Sequence, residues 1–119
     1  MRCSRLVSRL FASVLAVAAS TVLTGTAAAQ DAALVKKGEA AYNAQKCSVC
    51  HSIAGKGSKT NPLDGVGAKM SAEEIRAWIT DPVAMTAKVK STKKPPMPKN
   101  AKLTPADVDG LVAYMQSLK

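Results

Sequence analysis

Cys47-Ser48-Val49-Cys50-His51 is the stretch on which the reading of this 119-residue chain turns. Two cysteines three positions apart are followed at once by the chain's only histidine. On a turn of helix, residues so spaced present both sulfurs on one side, and the next residue carries its imidazole past them. Two thiols held this way can each add to a vinyl group on one edge of a flat macrocycle while the ring nitrogen reaches its iron. C-x-x-C-H is the attachment pattern of c-type haem for this reason. Cys47 and Cys50 are the candidates for covalent attachment and His51 for an axial iron ligand.

Other uses of the same residues fit less well. A thioredoxin-like dithiol sits on a βαβ framework, of which the chain has no sign. Structural zinc wants four protein ligands, and two cysteines with one histidine leave it one short unless a carboxylate serves. A Cys47–Cys50 disulfide closes too small a loop to staple a domain.

Outward from the motif the pattern is all-helical. Ala32 to Gln45 carries Leu34, Val35, Gly38, Ala41 and Tyr42 on one stripe, and Gly38 within it suggests close approach by another backbone. A second helix starts at a Ser71/Glu74 capping box, buries Ile75, Trp78 and Ile79, and ends at Asp81-Pro82. A third begins at Thr104 with Pro105 at its first position. Asp107 and Asp109 lie toward its positive end, and Val108, Leu111, Val112, Met115 and Leu118 form its stripe. No run alternates with period two for long enough to suggest a sheet. Between the helices lie Ser52 to Met70, with four of the seven glycines, and roughly Val83 to Leu103. Loops so long in so small a domain suggest that they wrap a non-protein group.

Four methionines follow the motif: Met70, Met85, Met97 and Met115. Met115 falls at core spacing, and Met70 and Met85 can pack beside helices. Met97 lies in Lys93-Lys94-Pro95-Pro96-Met97-Pro98-Lys99, far from any apolar stripe. Prolines on both sides restrict the backbone there, which suits a thioether held at fixed distance from the distal face of the iron, so Met97 is the candidate sixth ligand.

The N-terminus reads as a leader. Arg2, Arg5 and Arg9 precede an uncharged run from Leu10 to Leu23, and Ala27-Ala28-Ala29 offers a cleavage site before Gln30. The expected division is a cleaved secretory signal over residues 1–29 and one domain over residues 30–119, exported to the periplasm. An uncleaved anchor is the alternative, although the run is short for a span. Cys3 lies before the apolar run and takes no role. The whole chain has 17 Lys and Arg against 8 Asp and Glu, a formal charge of +9. Without residues 1–29 the chain keeps three aromatics, Tyr42, Trp78 and Tyr114. That is a thin core, of the kind a metal, disulfides or a bound apolar group commonly staples. Length and composition exclude a multidomain enzyme, a long coiled coil and a multi-span membrane protein.

From Pro82 to Ala106 there is no acid, while Lys88, Lys90, Lys93, Lys94, Lys99 and Lys102 supply six bases. Met97 lies inside this run, so the bases should ring the distal rim of the pocket. Lys93, Lys94 and Lys99 are the candidates for docking acidic redox partner proteins by electrostatic steering. The alternative is a solvated lysine loop with no role beyond solubility. One Arg (Arg76) after the leader makes nucleic acid a poor partner, and anionic membrane surfaces remain at most a weak contact.

Taken in order, Cys47-x-x-Cys50-His51, Asn61-Pro62-Leu63, Trp78-Ile79, Met97-Pro98 and Leu111-x-x-Tyr114 resemble the class I c-type cytochromes, small soluble bacterial single-haem electron carriers. The resemblance covers essentially everything after the leader. It implies the cytochrome c fold: three main helices plus short helical turns and long loops wrapped around one covalently attached haem, the first and last helices crossing. It maps Gly38 and Tyr42 on the first helix against Leu111 and Tyr114 on the last. It also implies that the Pro62 carbonyl accepts the His51 ring N–H, and that Trp78 either packs on the haem or donates to a propionate.

His/Met ligation would leave no open position on the iron, which suits a one-electron carrier rather than an enzyme. No base, nucleophile pair or carboxylate dyad is evident. The leading expectation is a diffusible periplasmic carrier. The alternatives are a dedicated cytochrome subunit of a periplasmic dehydrogenase or reductase complex, and a protein whose labile Met97 opens the iron to a gas or peroxide.

Overall fold

A computed structural model describes residues 25–119, with side-chain surroundings given from Asp31 onward. The leader expected over residues 1–29 lies outside the described residues as far as residue 24. The elements are α1 (Gly25–Ala44), a single 3-10 turn (Cys47–Val49), β1 (Ser52–Ile53), β2 (Lys56–Gly57), α2 (Val66–Lys69), α3 (Ala72–Thr80), α4 (Pro82–Lys88) and α5 (Pro105–Ser117). The architecture is all-α, as expected, with three main helices and two short ones. No helix among the described residues is long and apolar enough to cross a membrane.

The frame is the crossing of α1 and α5. Gly38 and Gly110 meet backbone to backbone: a Cβ added at Gly110 would lie 2.9 Å from the Gly38 nitrogen, and one added at Gly38 would run into the Gly110 carbonyl. One turn on, the Tyr42 and Tyr114 rings meet edge to face with centroids 6.0 Å apart, a favourable arrangement of their quadrupoles. Ala41, Tyr42, Ile75, Val108, Leu111, Val112 and Met115 form the buried core around this crossing. Gly38 and Tyr42 thus meet the last helix as the resemblance implied. Gly110, a residue without an apolar side chain, carried no such signal.

Several boundaries differ from the sequence reading. α1 begins at Gly25 rather than Ala32. Ala27, Ala28, Ala29, Ala32 and Ala33 are the best helix formers, and no breaker stands among them. Leu34 was expected on the buried stripe and is exposed, because it lies a turn before the crossing. On α3 only Ile75 is fully buried; Trp78 and Ile79 are half-buried. Ser52 to Met70 is not all loop. It holds the β1–β2 hairpin, pairing Ser52 with Gly57 and Ile53 with Lys56, and then α2. Strands of two residues are too short for alternation to show. The loop expected from Val83 opens on α4, which starts as α3 stops: Asp81 accepts from Ala84 N–H and Pro82 takes the first helical position.

The capping residues behave as their chemistry demands. Ser71 and Glu74 exchange side-chain bonds with each other's backbone at the start of α3, and Thr104 and Asp107 do the same for α5. Arg76 on α3 pairs with Asp109 on α5, an exposed bridge that adds little stability but agrees with the packing of the two helices.

Candidate functional site

The motif is folded as one tight turn. α1 stops at Ala44, Lys46 takes a left-handed conformation (φ 56°), and the chain reverses into the 3-10 turn. Cys50 and His51 N–H both donate to the Cys47 carbonyl, at 3.1 and 3.0 Å. Cys47 is half-buried and Cys50 exposed, and both are free thiols, so no disulfide joins them. Burial pushes the Cys47 thiol above its ordinary value of 9.0, with Cys50 adding to the rise and a backbone hydrogen bond opposing it.

His51 is held from two sides. Its carbonyl accepts from Tyr42 Oη at 3.3 Å and from Ser58 N–H at 3.1 Å. Burial raises the Tyr42 phenol above its ordinary value of 10.0, and the nearby Cys47 adds to this, so it stays a proton donor. The hairpin that returns Ser58 passes close behind the motif at Gly57 (φ 105°), where a Cβ would strike the His51 carbonyl. The imidazole Nδ1–H donates to the Asn61 carbonyl at 3.0 Å. This corrects the expectation that Pro62 is the acceptor. Pro62 instead forms a bridge with Ser52, with Leu63 N–H donating to the Ser52 carbonyl at 2.8 Å, which lays the segment beside His51 with the Asn61 carbonyl facing the ring. Because a carbonyl only accepts, this bond calls for the proton on Nδ1, a tautomer that would leave Nε2 available to a metal.

Met97 is half-buried, in an irregular segment tied down at both ends. On one side Lys93 Nζ donates to Asn61 Oδ1 at 2.7 Å. On the other, Asn100 Nδ2 donates to Gln45 Oε1 at 2.8 Å. The first tie fastens the segment beside the acceptor of the His51 ring. The second fastens it just before Cys47. Of the other methionines, Met115 is buried in the α1–α5 core, Met85 is buried on α4, and Met70 packs against the core.

Whether these residues suit a haem is tested by Trp78. Its Nε1 is buried and has no hydrogen-bond partner among the described residues. An orphaned buried donor costs about 1–3 kcal/mol, so a matching acceptor is called for. A haem propionate carboxylate would be such an acceptor, and the two free thiols and the imidazole would supply the remaining attachments. The residues fit the group.

The docking candidates divide. Lys93, Lys94 and Lys99 are all exposed, but Lys93 is engaged by Asn61. Asn61, Gln45 and Asn100 were not assigned roles by sequence reasoning. Each is an ordinary polar residue whose partner is remote in the chain, so nothing local marked it.

A family model described as cytochrome c matches residues 35–119. No curated protein and no solved structure gives a significant match.

Proposed function

This chain belongs to the cytochrome c family, and on that premise we propose that it is a periplasmic one-electron carrier of the class I bacterial single-haem type, its iron held between His51 and Met97. Membership makes it an electron-transfer protein that carries covalently bound haem c, with Cys47 and Cys50 as the attachment residues. The haem supplies an iron that cycles between Fe(II) and Fe(III). The rest is the work of the chain. His51 ligates through Nε2 while Asn61 fixes its ring. Met97 would supply the second iron ligand, a thioether that favours the reduced state and so raises the potential. With His51 and Met97 both on the iron, neither dioxygen nor a substrate would have a place to bind, which is the property of a carrier.

The observation that carries this reading is the double fastening of the Met97 segment to the flanks of the C-x-x-C-H motif, through Lys93–Asn61 and Asn100–Gln45. The exposed lysines that flank it along the chain, Lys88, Lys90, Lys94, Lys99 and Lys102, support docking of acidic redox partners by electrostatic steering. The leader pattern supports export.

The test is optical. The exported protein should carry a covalent haem adduct, be low-spin when reduced, and show a far-red sulfur–iron band when oxidised. Met97→Ala should abolish that band and let the reduced protein bind carbon monoxide. A high-spin oxidised wild type that binds carbon monoxide readily would overturn the carrier reading in favour of an open site. An unchanged spectrum in Met97→Ala would move the ligand to another residue.

A further inference from the structure

Asn61 is bound in three directions at once. Its backbone carbonyl accepts the His51 Nδ1–H at 3.0 Å. Its Nδ2 donates to the Cys50 carbonyl at 3.4 Å, and its Oδ1 accepts from Lys93 Nζ at 2.7 Å. The first contact is the one that orients the imidazole. The second closes a small ring, from Cys50 through His51 and across to Asn61. The third reaches over 32 residues to the lysine-rich segment. The Lys93–Asn61 bond is the shortest of the three and is charge-assisted, the stronger kind of hydrogen bond. It also polarises the amide, which strengthens the donation to Cys50.

We propose that Asn61 and Lys93 form a positioning pair for His51, in which the lysine ammonium holds the Asn61 amide and so fixes the carbonyl that accepts the imidazole proton. On this assignment Lys93 acts within the protein, and the docking of partners falls to its free neighbours. The loop around Asn61 explains the need. Pro62 cannot donate a backbone hydrogen bond, and the residue before a proline has a restricted but not unique conformation. The bridge to Ser52 places this segment, and the Asn61 side chain adds a second hold beside the carbonyl, through Cys50 and Lys93. A firmly held acceptor raises the basicity of the ring, which favours Fe(III), and a loosened one does the reverse. The inference rests on His51 being the iron ligand and is independent of Met97.

The test is a double-mutant cycle in the haem-loaded protein: Asn61→Ala, Lys93→Met and both together. One readout is the hydrogen-exchange rate of the His51 ring proton, followed by NMR in the reduced state. The other is the reduction potential. Loss of one ordinary hydrogen bond corresponds to about fivefold faster exchange. Lys93→Met should show that acceleration and Asn61→Ala, which also loses the Cys50 bond, at least as much; the double variant should be no faster than Asn61→Ala, because the Lys93 bond is already absent there. Asn61→Ala, which keeps the Lys93 charge, should also shift the potential upward. Lys93→Arg should restore slow exchange. Unchanged exchange in Lys93→Met, or accelerations that multiply in the double variant, would overturn the pair and leave Lys93 as a mere surface charge. A protein with no haem adduct would instead overturn the underlying assignment, and the spectrum of the wild type separates that failure from the first.

Discussion

Asn100 Nδ2 donates to Gln45 Oε1 at 2.8 Å, joining two residues 55 positions apart. Gln45 follows the last turn of α1 and lies two residues before Cys47; Asn100 lies three residues after Met97. The bond thus runs between the strand of chain that presents the thiols and the one that presents the thioether. Asn100→Ala should leave haem attachment intact while loosening Met97. The expected result is a weaker far-red band in the oxidised protein, lost at lower temperature or milder denaturant than in the wild type. A thermal titration of that band checks it, and a band as persistent as wild type would show that the proline-flanked segment holds Met97 unaided.

Trp78 gives a prediction whose sign depends on the haem. In the haem-loaded protein its Nε1 should donate to a carboxylate, a bond to a charged group worth roughly 1.5–3 kcal/mol. Trp78→Phe should lower stability by about 2 kcal/mol from this bond, with some further loss of packing. In the haem-free chain the same change removes an orphaned donor and should cost less. Denaturant titrations of both forms measure the difference. Equal losses would mean that Trp78 only packs.

Gly38→Ala sets two effects against each other. In a helix interior the substitution should stabilise by about 1 kcal/mol through propensity. At the α1–α5 crossing, however, the new methyl meets the Gly110 carbonyl and the Tyr114 Cβ, neither of which can yield without parting the helices. Overpacking costs typically about 1–3 kcal/mol, so the net effect should be destabilising. Chemical denaturation should show a loss, and a gain would mean that the crossing is looser than its geometry indicates.

Lys94 and Lys99 are exposed and are the free cations nearest Met97 in sequence. Reversing both charges should slow reduction by an acidic partner protein at low salt, by about tenfold or more. The difference should fade as ionic strength rises past the point where the Debye length falls below about 8 Å. Stopped-flow rates across a salt series check this, and equal rates at low salt would retire steering by these residues.

Much of this protein is decided within a few residues of chain. The haem-attachment turn, both capping boxes, the Asp81-Pro82 break and the stripe of α5 follow from short-range sterics, hydrogen bonding and period, all readable in order along the sequence. The preference for Met97 over Met70, Met85 and Met115 as the ligand rested on local pattern too; Met85 and Met115 are buried and Met70 packs against the core. What the chain could not announce locally is which polar groups would meet across it. The acceptor for His51 is Asn61 rather than Pro62, in a segment that a bridge to Ser52, ten residues back along the chain, lays beside the ring. Lys93 became an internal donor, and Gly110 became the seat of Gly38, only when folding closed the distance between them. A side chain's chemistry is carried by its own atoms, but its partner is chosen by the packing of the whole chain. The sequence therefore determined what would be bound, and the tertiary structure decided what holds the binding residues in place.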